Sequence, residues 1–306
     1  MRRPCSMGSR ETRRTSGAGR SGAAGPRDDR GATPMRGANP VVSVVVPVHN
    51  GEPFIRHALR SVIVQDYRPL EIVVVDDGST DGTARVTCGV ADACDVPVRY
   101  VFEDRRGPAA ARNRGIGIAQ GDIIAFQDAD DLWTEHKLAT QMGLLAQHPA
   151  ANVVLGYTRV VRSTADGGME DYPGNAGRPG LVTVLQAALF RRAVFDQVGL
   201  LDEGLLRGED IDWFLRALEQ NTEMVTHSDV VLLYRRHAAS LTSGDGNPPP
   251  SLLLALKRSL RRRRKSVGQE GGPVAPLGHE WAEPLVRAIV QSGRVCGDAG
   301  AADRMD

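Results

Sequence analysis

Gln127-Asp128-Ala129-Asp130-Asp131 places three carboxylates within four residues, directly after the apolar run Ile123 to Phe126. Charges this crowded cannot share a partly dry pocket without a counter-charge. A Mg2+ or Mn2+ ion, which takes oxygen ligands and keeps waters or phosphate oxygens in its shell, would supply it. The alternative is an acidic surface turn capping the next helix from Asp131 or Thr134. A second acidic loop, Asp76-Asp77-Gly78-Ser79-Thr80-Asp81-Gly82, offers carboxylates to hydrogen-bond a base or ribose and glycines that let backbone approach a ligand. It could equally be a β-turn with Asp81 capping the helix after Thr83. The third, Gly208-Glu209-Asp210-Ile211-Asp212-Trp213, opens a helical segment, where an acid either accepts a proton from a substrate or complements the helix dipole.

Such groups need a frame to converge. Val41 to Val48 is a continuous β-branched run of the kind covered on both faces of a sheet. After the Asn50-Gly51 turn, Ile55, Ala58, Leu59, Val62 and Ile63 repeat at helical spacing, and Leu70 to Val75 forms a second buried strand. Strand, helix, strand implies a right-handed crossover and parallel pairing. The alternation continues through a helix after Thr83, a strand at 98–102, a helix at 109–119 and a strand at 123–126, which predicts an α/β fold with a mainly parallel sheet flanked by helices. Ligands of such sheets bind beyond the carboxyl ends of the strands, where both the Asp76 and Asp128 loops fall. Beyond 150 the pattern turns to short extended pieces, a Gly/Pro-rich loop over 167–180, a helix near 210–218 and a strand at 230–234.

In order, Val42-Ser43-Val44-Val45-Val46-Pro47-Val48-His49-Asn50-Gly51, Val74 to Thr83, Gly107-Pro108-Ala109-Ala110-Ala111-Arg112-Asn113-Arg114-Gly115, Asp128 to Trp133 and Gly208 to Asp212 resemble family 2 of the glycosyltransferases, with its Rossmann-like type-A fold, over roughly residues 41–242. The resemblance implies an inverting, metal-dependent transfer of sugar from a nucleoside-diphosphate donor, a UDP-sugar in the first instance. It implies Pro47 and its neighbours, Asn50 among them, with Asp77 and Asp76, at the nucleobase. Arg112 and Asn113 would lie near the nucleotide, Asp128 at the ribose, and Asp130 with Asp131 on the metal. Asp210 would be the general base with Glu209 beside it. The segment Tyr234 to Thr242 is similar to a recurring family ending, which implies Arg235 or His237 at the diphosphate or metal. Processive members carry Gln-x-x-Arg-Trp and membrane helices; neither occurs here, which favours single-sugar transfer.

Other classes fit less well. Gly115-Ile116-Gly117-Ile118-Ala119-Gln120-Gly121 has its third glycine one residue late for a dinucleotide fingerprint and follows no strand. No phosphate-binding Gly-x-x-x-x-Gly-Lys-Ser/Thr loop is present. A metal-dependent nucleotidyltransferase is the nearest rival enzyme, and a non-catalytic sugar-nucleotide or membrane-associated binding module the non-enzymatic one. The formal charge of +1 argues against a nucleic-acid partner. Cys5, Cys88, Cys94 and Cys296 have neither zinc nor C-x-x-C spacing, and no apolar run approaches the ~20 residues of a membrane span. The expectation is a cytoplasmic protein, peripheral at most to the membrane's inner face. The organisation expected is a disordered Arg/Gly-rich arm (1–39), a transferase domain (40–242, nucleotide half 40–131, acceptor half 132–242) and a basic, largely disordered tail (243–306). Within that tail, 251–265 combines leucines with an arginine run suited to a membrane surface. The acceptor hydroxyl, on a glycan, a lipid-linked glycan or a small molecule, is not specified.

Overall fold

The two β-branched runs become β1 (Val42–Val48) and β2 (Leu70–Asp77), and both are buried along their whole length. The computed structural model describes residues 39–163, 169–173, 178–205, 207–237 and 250–266. Between the first strands runs α1 (Ile55–Ile63), burying the predicted stripe Ile55, Ala58, Leu59 and Val62. The alternation continues through α2 (Thr83–Asp92), β3 (Val98–Glu103), α3 (Pro108–Ile118) and β4 (Ile123–Phe126). There follow β5 (Leu132–Trp133), α4 (Lys137–Gln147), β6 (Val153–Ser163), β7 (Met169–Asp171), β8 (Gly180–Leu181) and β9 (Ala188–Arg191). The described chain closes with α5 (Ala193–Val198), α6 (Glu209–Glu219), β10 (Met224–Arg236) and α7 (Pro250–Ser266).

All strands join one sheet in the order β3-β2-β1-β4-β9-β6-β10-β5, with β7 and β8 along β6. The block β3-β2-β1-β4 and the β6–β10 pair are parallel; β9 is antiparallel to both its neighbours and welds the two blocks together. Parallel β1, β2 and β4 necessarily end on the same side, and the Asp76 and Asp128 loops leave from there. The Asp128–Asp131 loop then crosses to the far edge, where Leu132–Trp133 pairs with β10.

Packing against the sheet fixes the helices that face the site. Gly115 in α3 lies over Val45 of β1, and a Cβ there would run into Val45 Cγ1 and lie 3.1 Å from Val45 Cβ. Elsewhere in a helix, Gly→Ala gains up to about 1 kcal/mol of propensity. Here the stiff valine cannot turn aside, so Gly115→Ala is expected to cost about 1–3 kcal/mol net. A lowered melting temperature checks this; an unchanged or raised one rejects the close contact. On the other block, Trp213 of α6 is fully buried, stacks edge-on against Phe190 at 5.2 Å between centroids, and donates its indole N–H to Gly199 O at 2.9 Å. This anchors α6 beside β9.

Of the arm read as disordered over 1–39, only Asn39 is described. The tail expected to be largely disordered over 243–306 differs in its described part, since 250–266 is helical. The cause is pairing no single segment reveals: Arg262 meets Glu219 (2.6 Å) and Asp212 (3.0 Å), and Arg258 meets Asp202. Among the described residues, no helix is long and apolar enough to cross a membrane.

Candidate active site

Past the end of β1, the chain is stitched to the loop after β2. Pro47 sits beyond the last β1–β4 pairing, Val45 with Phe126, where the missing N–H has no β4 partner to disappoint. Asn50 adopts a left-handed conformation (φ 53°), which asparagine tolerates. Its backbone N–H donates to Ser79 Oγ at 2.8 Å, and its Oδ1 accepts the Thr80 N–H at 2.9 Å. Gly51 N–H donates to Thr83 Oγ1, and Asp81 accepts from Glu52 N–H and from Thr83. Asp81 thus binds the first α2 N–H, at Thr83, from the position before the N-cap Gly82, and holds the Glu52 loop at the same time.

Asp76 is 1% exposed and accepts the Ser79 N–H (2.7 Å) and the Tyr100 hydroxyl (2.6 Å). Asp77 accepts the N–H groups of Arg106 (2.6 Å) and Gly107 (2.9 Å), so it holds the turn that launches α3. Both carboxylates thus order the loops at the sheet's end, with Asp77 joining two of them. Asn113, one turn into α3, clamps the loop before α6: its amide donates to Leu201 O and Glu203 and accepts the Leu201 N–H.

The Asp128, Asp130 and Asp131 carboxylates each present an oxygen within 4.8 Å of the others. Asp128 accepts from Arg112 (2.7 Å) and from Gln186. Asp130, more open, lies 3.1 Å from His237 Nε2. Asp131 is 1% exposed; Oδ1 accepts the Arg235 N–H at 2.8 Å, while Oδ2 is buried with no hydrogen-bond partner. Burial, then the charges of Asp130 and Asp128, push the Asp131 carboxyl well above its ordinary range. Burial also raises Asp128, with Arg112 working against it and Asp130 with it. A buried orphan oxygen inside a self-repelling acidic cluster is what a divalent cation would relieve, so the residues fit one. Phe54 backs this corner, with the His237 ring 4.4 Å away and the Arg235 guanidinium 5.3 Å from its centroid.

Opposite stands the first turn of α6, entered through Gly208 in the left-handed region (φ 77°). Glu209 accepts from Arg112 at 2.6 Å. Asp210 accepts only its neighbour Ile211's N–H among described partners, at 2.7 Å. Burial first and the Glu209 charge second push its carboxyl up to about 7, against the opposing pull of the Ile211 N–H and Arg112. Asp212 faces away to Arg216 and Arg262 and belongs to the packing of α6.

Arg112 is the joint. Its guanidinium is 7% exposed and reaches Asp128 on one side and Glu209 on the other. It thereby brings the acidic loop and the α6 acids together, although they are distant in sequence. Gln186, Phe54 and Glu203 were not singled out from sequence. Glu203 and Gln186 carry no local signal, and Phe54 reads simply as a helix-start apolar residue.

The sequence model described as Glycosyl transferase family 2 matches residues 43–199, and the chain belongs to that family. A relative from Haemophilus influenzae called an uncharacterized glycosyltransferase is 28% identical over 194 residues, covering 62% of this chain and 76% of that protein. The putative teichuronic acid biosynthesis glycosyltransferase TuaG of Bacillus subtilis is 35% identical over 125 residues, 40% of this chain and 49% of TuaG. Some relatives are far longer, the chain spanning 19% of an uncharacterized glycosyltransferase of Rickettsia felis. In fold, S. aureus TarS 1–349 in complex with UDP-GlcNAc superposes with a TM-score of 0.60 at 20% identity, over 87% of this chain and 76% of that one. The mannosyltransferase PcManGT from Pyrobaculum calidifontis, in complex with GDP-Man and Mn2+, gives 0.56 at 22% identity, over 87% and 74%. The fold is accordingly the type-A glycosyltransferase fold.

Proposed function

We propose that the chain transfers one sugar from a nucleoside-diphosphate sugar, a UDP-sugar in the first instance, to an acceptor hydroxyl by a single displacement that inverts the anomeric carbon. The observation that carries this reading is the Arg112 bridge, which puts the acidic cluster and Asp210 on one cleft at the carboxyl ends of the strands. Asp210 is the general base: with its carboxyl raised to about 7, it can hold and release a proton near neutrality. Glu209 and Arg112 flank it, and the Glu209 charge raises its proton affinity, which favours uptake of the acceptor hydroxyl's proton as the sugar is transferred. Pro47, Asn50, Asp76 and Asp77 frame the nucleobase end of the cleft, with Arg112 and Asp128 toward the ribose and phosphates.

Asp130, Asp131 and His237 would hold Mg2+ or Mn2+. Bound there, the cation supplies positive charge for the departing diphosphate. UDP-GlcNAc in TarS and GDP-Man with Mn2+ in PcManGT support a nucleotide-sugar donor on this fold. The partners read here are that donor, a hydroxyl acceptor and, through 251–265, a membrane surface.

Thermal denaturation with UDP-, GDP- and dTDP-sugars, each with Mn2+ or a chelator, tests the assignment. A donor at 100 times its dissociation constant adds about 2.7 kcal/mol of stability, a readily measured rise. That rise should require Mn2+ and should vanish in Asp130→Ala. An Asp130→Ala variant that turned over donor at the wild-type rate, equally indifferent to chelation, would remove the cation assignment. Release of pyrophosphate in place of a nucleoside diphosphate would favour the nucleotidyltransferase class.

A further inference from the structure

Among the described side chains of α7, those exposed to solvent fall on one side. Leu253 (51% exposed), Leu254 (41%) and Leu260 (38%) share that side with exposed Lys257, Arg261 and Arg264. At the α-helical increment these six positions span an arc of about 120°. The reverse side carries buried Ala255 and Ser259, flanked by Arg258 and Arg262, which make the acidic contacts to Asp202, Asp212 and Glu219. The cations of the outer arc are therefore not the ones that dock the helix. The sequence from Pro250 to Ser266 contains no acidic residue to neutralise them.

We propose that this outer face of α7 is a docking surface for an anionic lipid bilayer. The charge of the arc is complementary to acidic headgroups, and its three leucines suit the boundary between headgroups and acyl chains. A polyanion such as RNA would match the cations but leave the leucines in water, so the combination selects lipid. The helix is held to the body through α6, where Arg262 contacts Asp212, two residues beyond Asp210. A bilayer bound to the outer face consequently lies on the side of α7 turned away from its α6 contacts.

The test is cosedimentation of the full chain with vesicles of phosphatidylcholine alone and of phosphatidylcholine with phosphatidylglycerol, at fixed salt. Wild type should partition onto the anionic vesicles at least about tenfold better than onto neutral ones, from the contribution of basic residues near an acidic surface. Lys257→Glu with Arg261→Glu and Arg264→Glu should abolish binding. Leu253→Ser with Leu260→Ser should weaken it about tenfold or more while leaving every charge in place. Both variants alter only outward-facing side chains, so melting temperature and turnover of soluble donor should match wild type; that readout separates failure of the docking surface from failure of the transferase reading. Equal binding to neutral vesicles, no binding to anionic vesicles, binding unchanged in either variant, or capture by single-stranded RNA without capture by vesicles would each overturn the proposal.

Discussion

Asp210→Asn is expected to lower sugar transfer by about 10²- to 10⁴-fold, the range for loss of a general base, and at the same time to leave the protein more stable at neutral pH. The two effects share one origin. In the folded chain, burial and the neighbouring Glu209 charge raise the Asp210 carboxyl from 3.8 to about 7. A carboxyl raised on folding binds a proton that the unfolded chain has already released. Stability therefore falls as pH climbs from about 4 to about 7, and the ionised group is a burden above that window. Asparagine keeps the shape and the contact to Ile211 N–H but cannot ionise. Because Asp210 is partly exposed, the gain at pH 8 is discounted to the order of 1 kcal/mol, and it should vanish near pH 4. Wild-type turnover should rise with pH through about 7 and then level, as the proton-accepting form fills. Urea melts at the two pH values and a pH–rate profile check both halves. A variant that lost activity together with stability at pH 8 would make Asp210 a structural acid and not a base.

Arg112→Leu should be the most damaging single change to the fold among those in the cleft, at about 3–5 kcal/mol, the loss typical when one member of a buried ion pair is removed. Arg112 and Glu209 are 7% and 9% exposed at their side chains, and Asp128 is 24% exposed. Burial opposes the guanidinium's charge, but Asp128 and Glu209 outweigh it and hold the group firmly protonated. Without it, two carboxylates face each other and Asp210 with no counter-charge. Lysine should recover only part of the loss, because one ammonium cannot reproduce a planar fork whose separate nitrogens reach two acids. Adding Glu209→Gln to Arg112→Leu should restore some stability, since it removes one of the stranded charges. Urea midpoints for the single and double variants measure this coupling. If Arg112→Leu stayed within about 1 kcal/mol of wild type, the bridge would be a surface pair of the kind that contributes little.

The first half of the fold was legible because strands covered on both faces must be continuous apolar runs, and Val42–Val48 and Leu70–Val75 are such runs. The carboxyl ends of Leu70–Val75 and of the later apolar run Ile123–Phe126 located two acidic loops with no further information. The second half was harder for physical reasons. β9 is four residues long and owes its place to partners on both sides, and β5 is two residues whose one strand partner among the described residues is β10. The helical α7 was read as tail because its arginines find their acids on another helix. Within the cleft, the acids were readable as acids, and the family resemblance suggested roles for them. That Arg112 joins Asp128 to Glu209, 97 positions away, was not readable, since no local period relates them. Gln186, which donates to Asp128, is likewise a matter of tertiary position alone.

The crossing of the Asp128–Asp131 loop to the sheet's far edge also sets an order of assembly. Asp131 waits for Arg235, 104 positions later, and Asp130 for His237, 107 positions later. At ordinary ribosomal speeds that interval is on the order of ten seconds. Throughout it, the nascent chain carries its acidic cluster without the strand that closes it, so β1, β2 and β4 can pair early whereas the corner holding Asp130 and Asp131 matures only after them. Long-range closure of this kind is kinetically slow, and the Asp130–Asp131 corner should gain protection after the β1–β2–β4 block when the protein is refolded.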